Sequence, residues 1–77
     1  ERGKQLLAEI KPLYPQILAC TYSEANTFRH GAEAPEIQDV IVFKIRKGSF
    51  KDADRKKIAS WLASRLETKR IKVFFET

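Results

Sequence analysis

The stretch DVIVFKIRKG, residues 39–48, constrains this chain more than any other, because its alternation suits only an extended strand. Ile41, Phe43 and Ile45 fall on one face; Val40, Val42, Lys44 and Arg46 fall on the other. Gly48 stops the strand. The next segment, SFKDADRKKIASWLASRLET, carries Ile58, Trp61, Leu62 and Leu66 at helical spacing. Ser49 or Asp52 is expected to cap that helix, and Asp52 with Asp54 complements the positive end of its dipole. The last segment, KRIKVFFET, alternates Ile71, Val73 and Phe75 against Lys72, Phe74 and Glu76. Strand, helix, strand forms a βαβ unit, so the two strands are expected to run parallel through a right-handed crossover.

The first half supplies a helix and a weaker strand. Leu6, Leu7, Ile10, Leu13 and Tyr14 make one apolar stripe, read as a helix from about residue 2 to 11 that loosens through Tyr14. Pro12 interrupts the pattern and Pro15 ends it, since proline lacks an N–H and restricts the residue before it. QILACTYSE then alternates, with Ile17, Ala19 and Thr21 opposed to Leu18, Cys20 and Tyr22. ANTFRHGAEAPEIQ, residues 25–38, is polar, has no clean period and reads as a long loop, of the kind where function or simple tolerance to insertion concentrates.

Two helices with one apolar stripe each cover only one face of a three-stranded sheet. The expected fold is therefore α+β, a two-layer αββαβ sandwich with a three-stranded mixed sheet and two helices on one face. Residues 1–77 read as a single domain, and the third strand has two possible places, beside the second or beside the first. The chain has no methionine and begins Glu1-Arg2-Gly3, which reads as a domain excised from a longer protein.

Hydrophobic residues make up 43% and charged residues 32%, a balance suited to a globular domain rather than a disordered one. No apolar run approaches the roughly 18 residues that cross a bilayer. One cysteine excludes an internal disulfide and a thiolate metal cluster.

Cys20 and His30 are the one pair that invites a catalytic reading. A cysteine nucleophile needs a base within reach, a lowered pKa and an oxyanion site. Cys20 lies in mid-strand, where a small buried residue is the ordinary occupant. His30 lies ten residues on in the loop beside Gly31, with nothing placed to orient it. His30, Glu33, Glu36 and Asp39 offer metal-ligand atoms, but their spacing matches no known ligand motif and falls in an irregular segment. The three glycines stand alone, so there is no phosphate-cradling loop. Neither a catalytic residue, a metal nor a cofactor is expected, and the chain reads as a non-enzyme.

The charge is uneven. Residues 44–72 hold eleven Lys and Arg against three acids, whereas residues 1–43 hold four against six. A field of this kind attracts nucleic-acid phosphates or anionic lipid heads, although part of it is a solvated helix face. The uncovered sheet face should show Val40, Val42 and Phe74 framed by Lys44, Arg46 and Lys72. An apolar centre with a charged rim is the anatomy of a protein interface. One aromatic flanked by two valines is a poor base-stacking platform, so contact with another protein, through the face or edge of the sheet, is favoured over RNA.

The order helix, strand, strand, helix, strand resembles BON-like domains and the ring-building modules of secretion assemblies, without the glycine-centred hairpin of the former. LLAEIKPLYPQI (6–17), DVIVFKIRKG (39–48) and DADRKKIASWLASRLETKRIKVFFE (52–76) resemble the soluble tail domain of an uncharacterised bacterial family of hydrophobic multi-spanning membrane proteins. That resemblance implies a membrane-embedded parent and no catalytic residues. A basic domain beside a spanning helix leans cytoplasmic. The expected function is self-association or protein-partner binding; nucleic-acid or anionic-lipid binding through residues 44–72 is the alternative.

Overall fold

The computed structural model describes residues 1–77 as α1 (Arg2–Ile10), β1 (Ile17–Thr27), β2 (Glu36–Ile45), α2 (Asp52–Arg65) and β3 (Ile71–Glu76). The sheet order is β1-β2-β3, with β1 antiparallel and β3 parallel to β2. The third strand thus lies beside the second, as the βαβ connection favours. Leu6 and Ile10 of α1, Ile17 of β1, Ile41, Phe43 and Ile45 of β2, and Ile58 and Leu62 of α2 form one buried cluster. Both helices therefore sit on the Ile41–Phe43–Ile45 side, and the other side of the sheet carries no layer. The fold is the expected two-layer αββαβ sandwich.

Four details depart from the sequence reading. The first is the face of β1. Its register slips between Ile17 and Ala19, so Ile17 opposes Ile45 while Cys20 opposes Phe43 and Tyr22 opposes Ile41. A bulge adds one residue to the strand and reverses its parity. Ile17 therefore shares the helix side with Cys20 and Tyr22, and Ala19 and Thr21 face the open side. Leu18 remains half-exposed at the slip.

The second is the supposed 25–38 loop, most of which is hairpin. β1 runs on to Thr27, opposite Glu36, and only residues 28–35 connect the strands. Most residues of this arm are exposed on both faces, so no hydrophobic period was available to mark it. Thr27 Oγ1 donates to Gln38 Oε1 at 3.1 Å, and Arg29 donates to Glu36 Oε2 at 3.0 Å.

The third is the end of α1. Leu13 lies beyond it and is 69% exposed. Pro12 has no N–H for the next helical bond, and residues 11–13 continue only as a turn. Tyr14 instead packs edge-on against Phe50 at 5.6 Å; Phe50 meets Phe75, and Phe75 meets Phe43. This run of rings joins the turn after α1 to β3.

The fourth is the cap of α2, which is neither Ser49 nor Asp52. Lys51 occupies the N-cap, and its N–H donates to Asp54 Oδ2 at 3.1 Å. Ser49 Oγ donates to the Arg46 carbonyl within the preceding turn. Asp52 and Asp54 do occupy the first turn, as the dipole favours. At the other end Glu67 takes a left-handed conformation (φ 54°), and the Thr68 N–H closes on the Ala63 carbonyl at 3.1 Å.

The helices are tied by Arg65, whose Nε and Nη2 donate to the two carboxylate oxygens of Glu9 at 2.7 and 2.8 Å. This bidentate contact holds the Glu9 carboxyl below its ordinary value.

Leu62 is completely buried, so Leu62→Ala should cost about 2–5 kcal/mol in urea unfolding. Leu13→Ala, at an exposed site, should stay within about 0.5 kcal/mol of the parent. The Glu9 pair has its own pH signature. A carboxylate with a lowered folded pKa stabilises the fold above its unfolded value, and that share is lost as pH falls through the folded value. Glu9→Gln should therefore lose less stability than the parent between neutral pH and strong acid, measured by thermal unfolding, with the two curves converging at the acid end.

Candidate interaction surface

The bare side of the sheet is built from alternate residues of all three strands. Strand register places them in rows: Ser23, Val40 and Lys72; Thr21, Val42 and Phe74; Ala19, Lys44 and Glu76. Val40 and Val42 are half-buried by their neighbours, and Phe74 is 52% exposed, a large apolar side chain with no layer above it. Val40, Val42, Lys44, Lys72 and Phe74 thus share one face, as expected.

The frame is less uniformly basic than the sequence suggested. Lys44 stands beside Glu76, so that corner is charge-balanced, whereas the Lys72 row contains no acid. Arg46 lies one residue beyond β2, at the margin rather than on the strand. Its N–H donates to the Gln16 carbonyl at 3.1 Å, which fixes the backbone there.

Cys20 and His30 are not brought together. Cys20 opposes Phe43 in mid-sheet, and partial burial pushes its thiol pKa up, away from the thiolate. His30 belongs to the connection past Thr27, and seven residues of strand separate Cys20 from that end, about 23 Å at 3.3 Å per residue. The acidic residues near His30 are also divided. Glu36 pairs with Arg29, and Asp39, three positions along the same strand, points to the opposite face.

A second feature had no signal in the hydrophobic pattern. Along the outer side of β3, a groove of roughly 400 Å³ lies against α2, lined by Arg55, Lys56, Ala59, Val73, Phe74 and Phe75. The Arg55 guanidinium lies over the Phe75 ring, 5.5 Å from its centroid. Nothing in sequence spacing links residues 55–59 to 73–75; only the parallel crossover brings them side by side. The far end of the hairpin also exposes Phe28 (77%) and Ile37 (53%). Ile37 continues the odd-numbered series of Ile41, Phe43 and Ile45, a signal that was present in the sequence.

A family model described as Domain of unknown function (DUF8492) matches residues 2–76, which span every helix and strand above. The chain belongs to the DUF8492 family. No curated protein and no solved structure matches it. The DUF8492 match thus covers the open face and the β3 groove together. No helix of this DUF8492 chain is long and apolar enough to cross a membrane.

The raised Cys20 pKa has a direct readout. Iodoacetamide at pH 7 should modify Cys20 more slowly in the folded domain than in the urea-unfolded chain. A folded-state rate above the unfolded one would reveal an activated thiol and reopen the nucleophile reading.

Proposed function

We propose that this domain is a non-catalytic interaction or oligomerisation module of a larger, membrane-embedded bacterial protein, and that it works through the open face of its sheet. The observation that carries the reading is Phe74, exposed beside Val42 on a face that neither helix covers. Burying apolar area of this kind drives association, at about 1.5–3 kcal/mol for each large side chain fully covered. Val40 and Val42 extend the apolar strip. Lys72 and Lys44 set the charge a partner must meet, with Glu76 supplying the opposite sign at one corner. A second copy meets these requirements as a weak dimer, strengthened where a parent chain already tethers two domains. The membrane-embedded parent is carried by the resemblance of residues 6–17, 39–48 and 52–76 to tail domains of multi-spanning proteins. A basic balance next to a spanning segment leans to the cytoplasmic side.

One observation supports a second reading. Among the basic residues of 44–72, Arg65 alone is in an ion pair, with Glu9. The rest of that surface is available to a nucleic acid or an anionic lipid head group, whose binding would fall steeply with salt.

Sedimentation of the domain across concentration, at low and moderate salt, separates the two. The face reading expects a reversible dimer that persists in salt and is abolished by Phe74→Asp with the circular dichroism spectrum unchanged. A dimer that survives Phe74→Asp excludes this face. A monomer at every concentration, with salt-sensitive binding of an oligonucleotide or anionic vesicles, favours the basic surface.

A further inference from the structure

The outer edge of β3 is a second surface, adjoining the open face at Phe74. β3 ends the sheet, and no strand pairs with its far side. The Asp39 N–H donates to the Arg70 carbonyl at 2.9 Å, and this fixes the phase of the parallel ladder. The main-chain groups of Arg70, Lys72 and Phe74 turn towards β2, so those of Ile71, Val73 and Phe75 turn outward. Three consecutive outward positions suffice to template one more strand. The groove against α2 lies along the same edge. It offers apolar wall from Ala59, Val73 and Phe75, with Arg55 and Lys56 at the helix side.

We propose that this edge takes up an extended acidic polypeptide segment from a protein partner, added as a fourth strand beside β3. Main-chain bonds to Val73 and Phe75 supply the docking, and side chains on alternate sides supply the selection. Residues of the incoming strand on the helix side meet Arg55 and Lys56, so carboxylates belong there, with their methylenes against Ala59. Residues on the other side lie beside Phe74, which favours apolar side chains there. The charge complementarity decides the occupant. A second copy of this chain, at net charge +5, would bring another Arg55, Lys56 and Lys72 towards the same edge. A strand alternating glutamate with an apolar residue meets each requirement.

The proposal rests on the domain being an interaction module, and the variants distinguish the two surfaces. The probe is a fluorescein-labelled acetyl-(Glu-Val)4-amide, titrated with the 77-residue domain and read by anisotropy. Saturable binding is expected, together with slowed amide exchange at Val73 and Phe75. Replacing glutamate by lysine in the peptide should abolish binding, as should N-methylation of alternate peptide nitrogens on the docking edge. The double variant R55E/K56E, with both substitutions at exposed positions, should weaken binding at least about tenfold. Val40→Asp, which disables the open face, should leave it unchanged. Equal binding of the N-methylated peptide, or binding that survives R55E/K56E, would overturn the proposal. It would equally fail if the domain dimerises through this edge, shown by a dimer that Val73→Pro dissociates and Val40→Asp does not.

Discussion

Everything in this fold depends on the burial of one side of β2. Ile41, Phe43 and Ile45 are the buried side chains of the central strand, and all three belong to the core cluster. α1 reaches them with Leu6 and Ile10, and α2 with Ile58 and Leu62. A chain of 77 residues has too little apolar material to cover a sheet twice, and here both helices are used on the same side. The open face follows from that limit. Its apolar residues come from alternation in strands whose other half is committed to the core.

The core also determines which surfaces are rigid. Phe75 belongs to β3 but is held by its cross-strand neighbour Phe43 and by Phe50, at ring distances of 5.7 and 5.6 Å. The β3 edge is therefore anchored to the best-packed part of the molecule, and Phe74 is fixed by having Phe75 as its neighbour. The far end of the hairpin is different. Residues 24–27 and 36–37 have little apolar burial, and beyond the strand ladder their side-chain contacts are the Thr27–Gln38 hydrogen bond and the exposed Arg29–Glu36 pair. Exposed pairs of this kind contribute at most about 1 kcal/mol. Phe28 and Ile37 therefore sit on the least supported part of the sheet, whereas Phe74 and the β3 groove sit on the most supported part. A surface that must present fixed geometry to a partner is better built on the latter.

How much of this was legible depends on whether each feature is local in sequence. The alternation of residues 40–46 and 71–76 reports directly on β2 and β3, and it places Val40, Val42, Lys44, Lys72 and Phe74 on one face without any knowledge of tertiary contacts. The apolar spacing of Leu6, Ile10, Ile58 and Leu62 does the same for the helices. The failures arise where a local pattern is broken by a non-local cause. The slip between Ile17 and Ala19 is a property of two strands in register, so alternation counted along β1 alone assigned Ile17 to the wrong companions. Residues 24–27 form strand because β2 pairs with them, although their small and polar side chains carry no hydrophobic period. Leu13 completes a helical stripe on paper, but the backbone after Pro12 does not carry it inward. The β3 groove was invisible for the same reason, since it is made by two segments that meet only through the crossover.

The placement of charge around β3 governs what its exposed edge can pair with. An unpaired strand edge is a template for pairing with any other edge, including its own copy, and flanking lysine or arginine is a common means of preventing this. Lys72 lies on the strand, Lys69 and Arg70 lead into it, and Arg55 and Lys56 overlook it from α2. Between copies of the same chain these charges repel. Towards a strand of opposite charge the same residues attract, and they remain in place whether or not a partner is present. Discouragement of self-pairing and preference for an acidic segment are thus one electrostatic property, expressed against two different neighbours. The open face has no such bias at its Lys44–Glu76 corner, where each sign has its complement. A face that is apolar at its centre and answers Lys44 with Glu76 tolerates a second copy of itself, whereas the basic residues gathered along the β3 edge oppose one. The two surfaces therefore differ in the partner they admit, although Phe74 belongs to both.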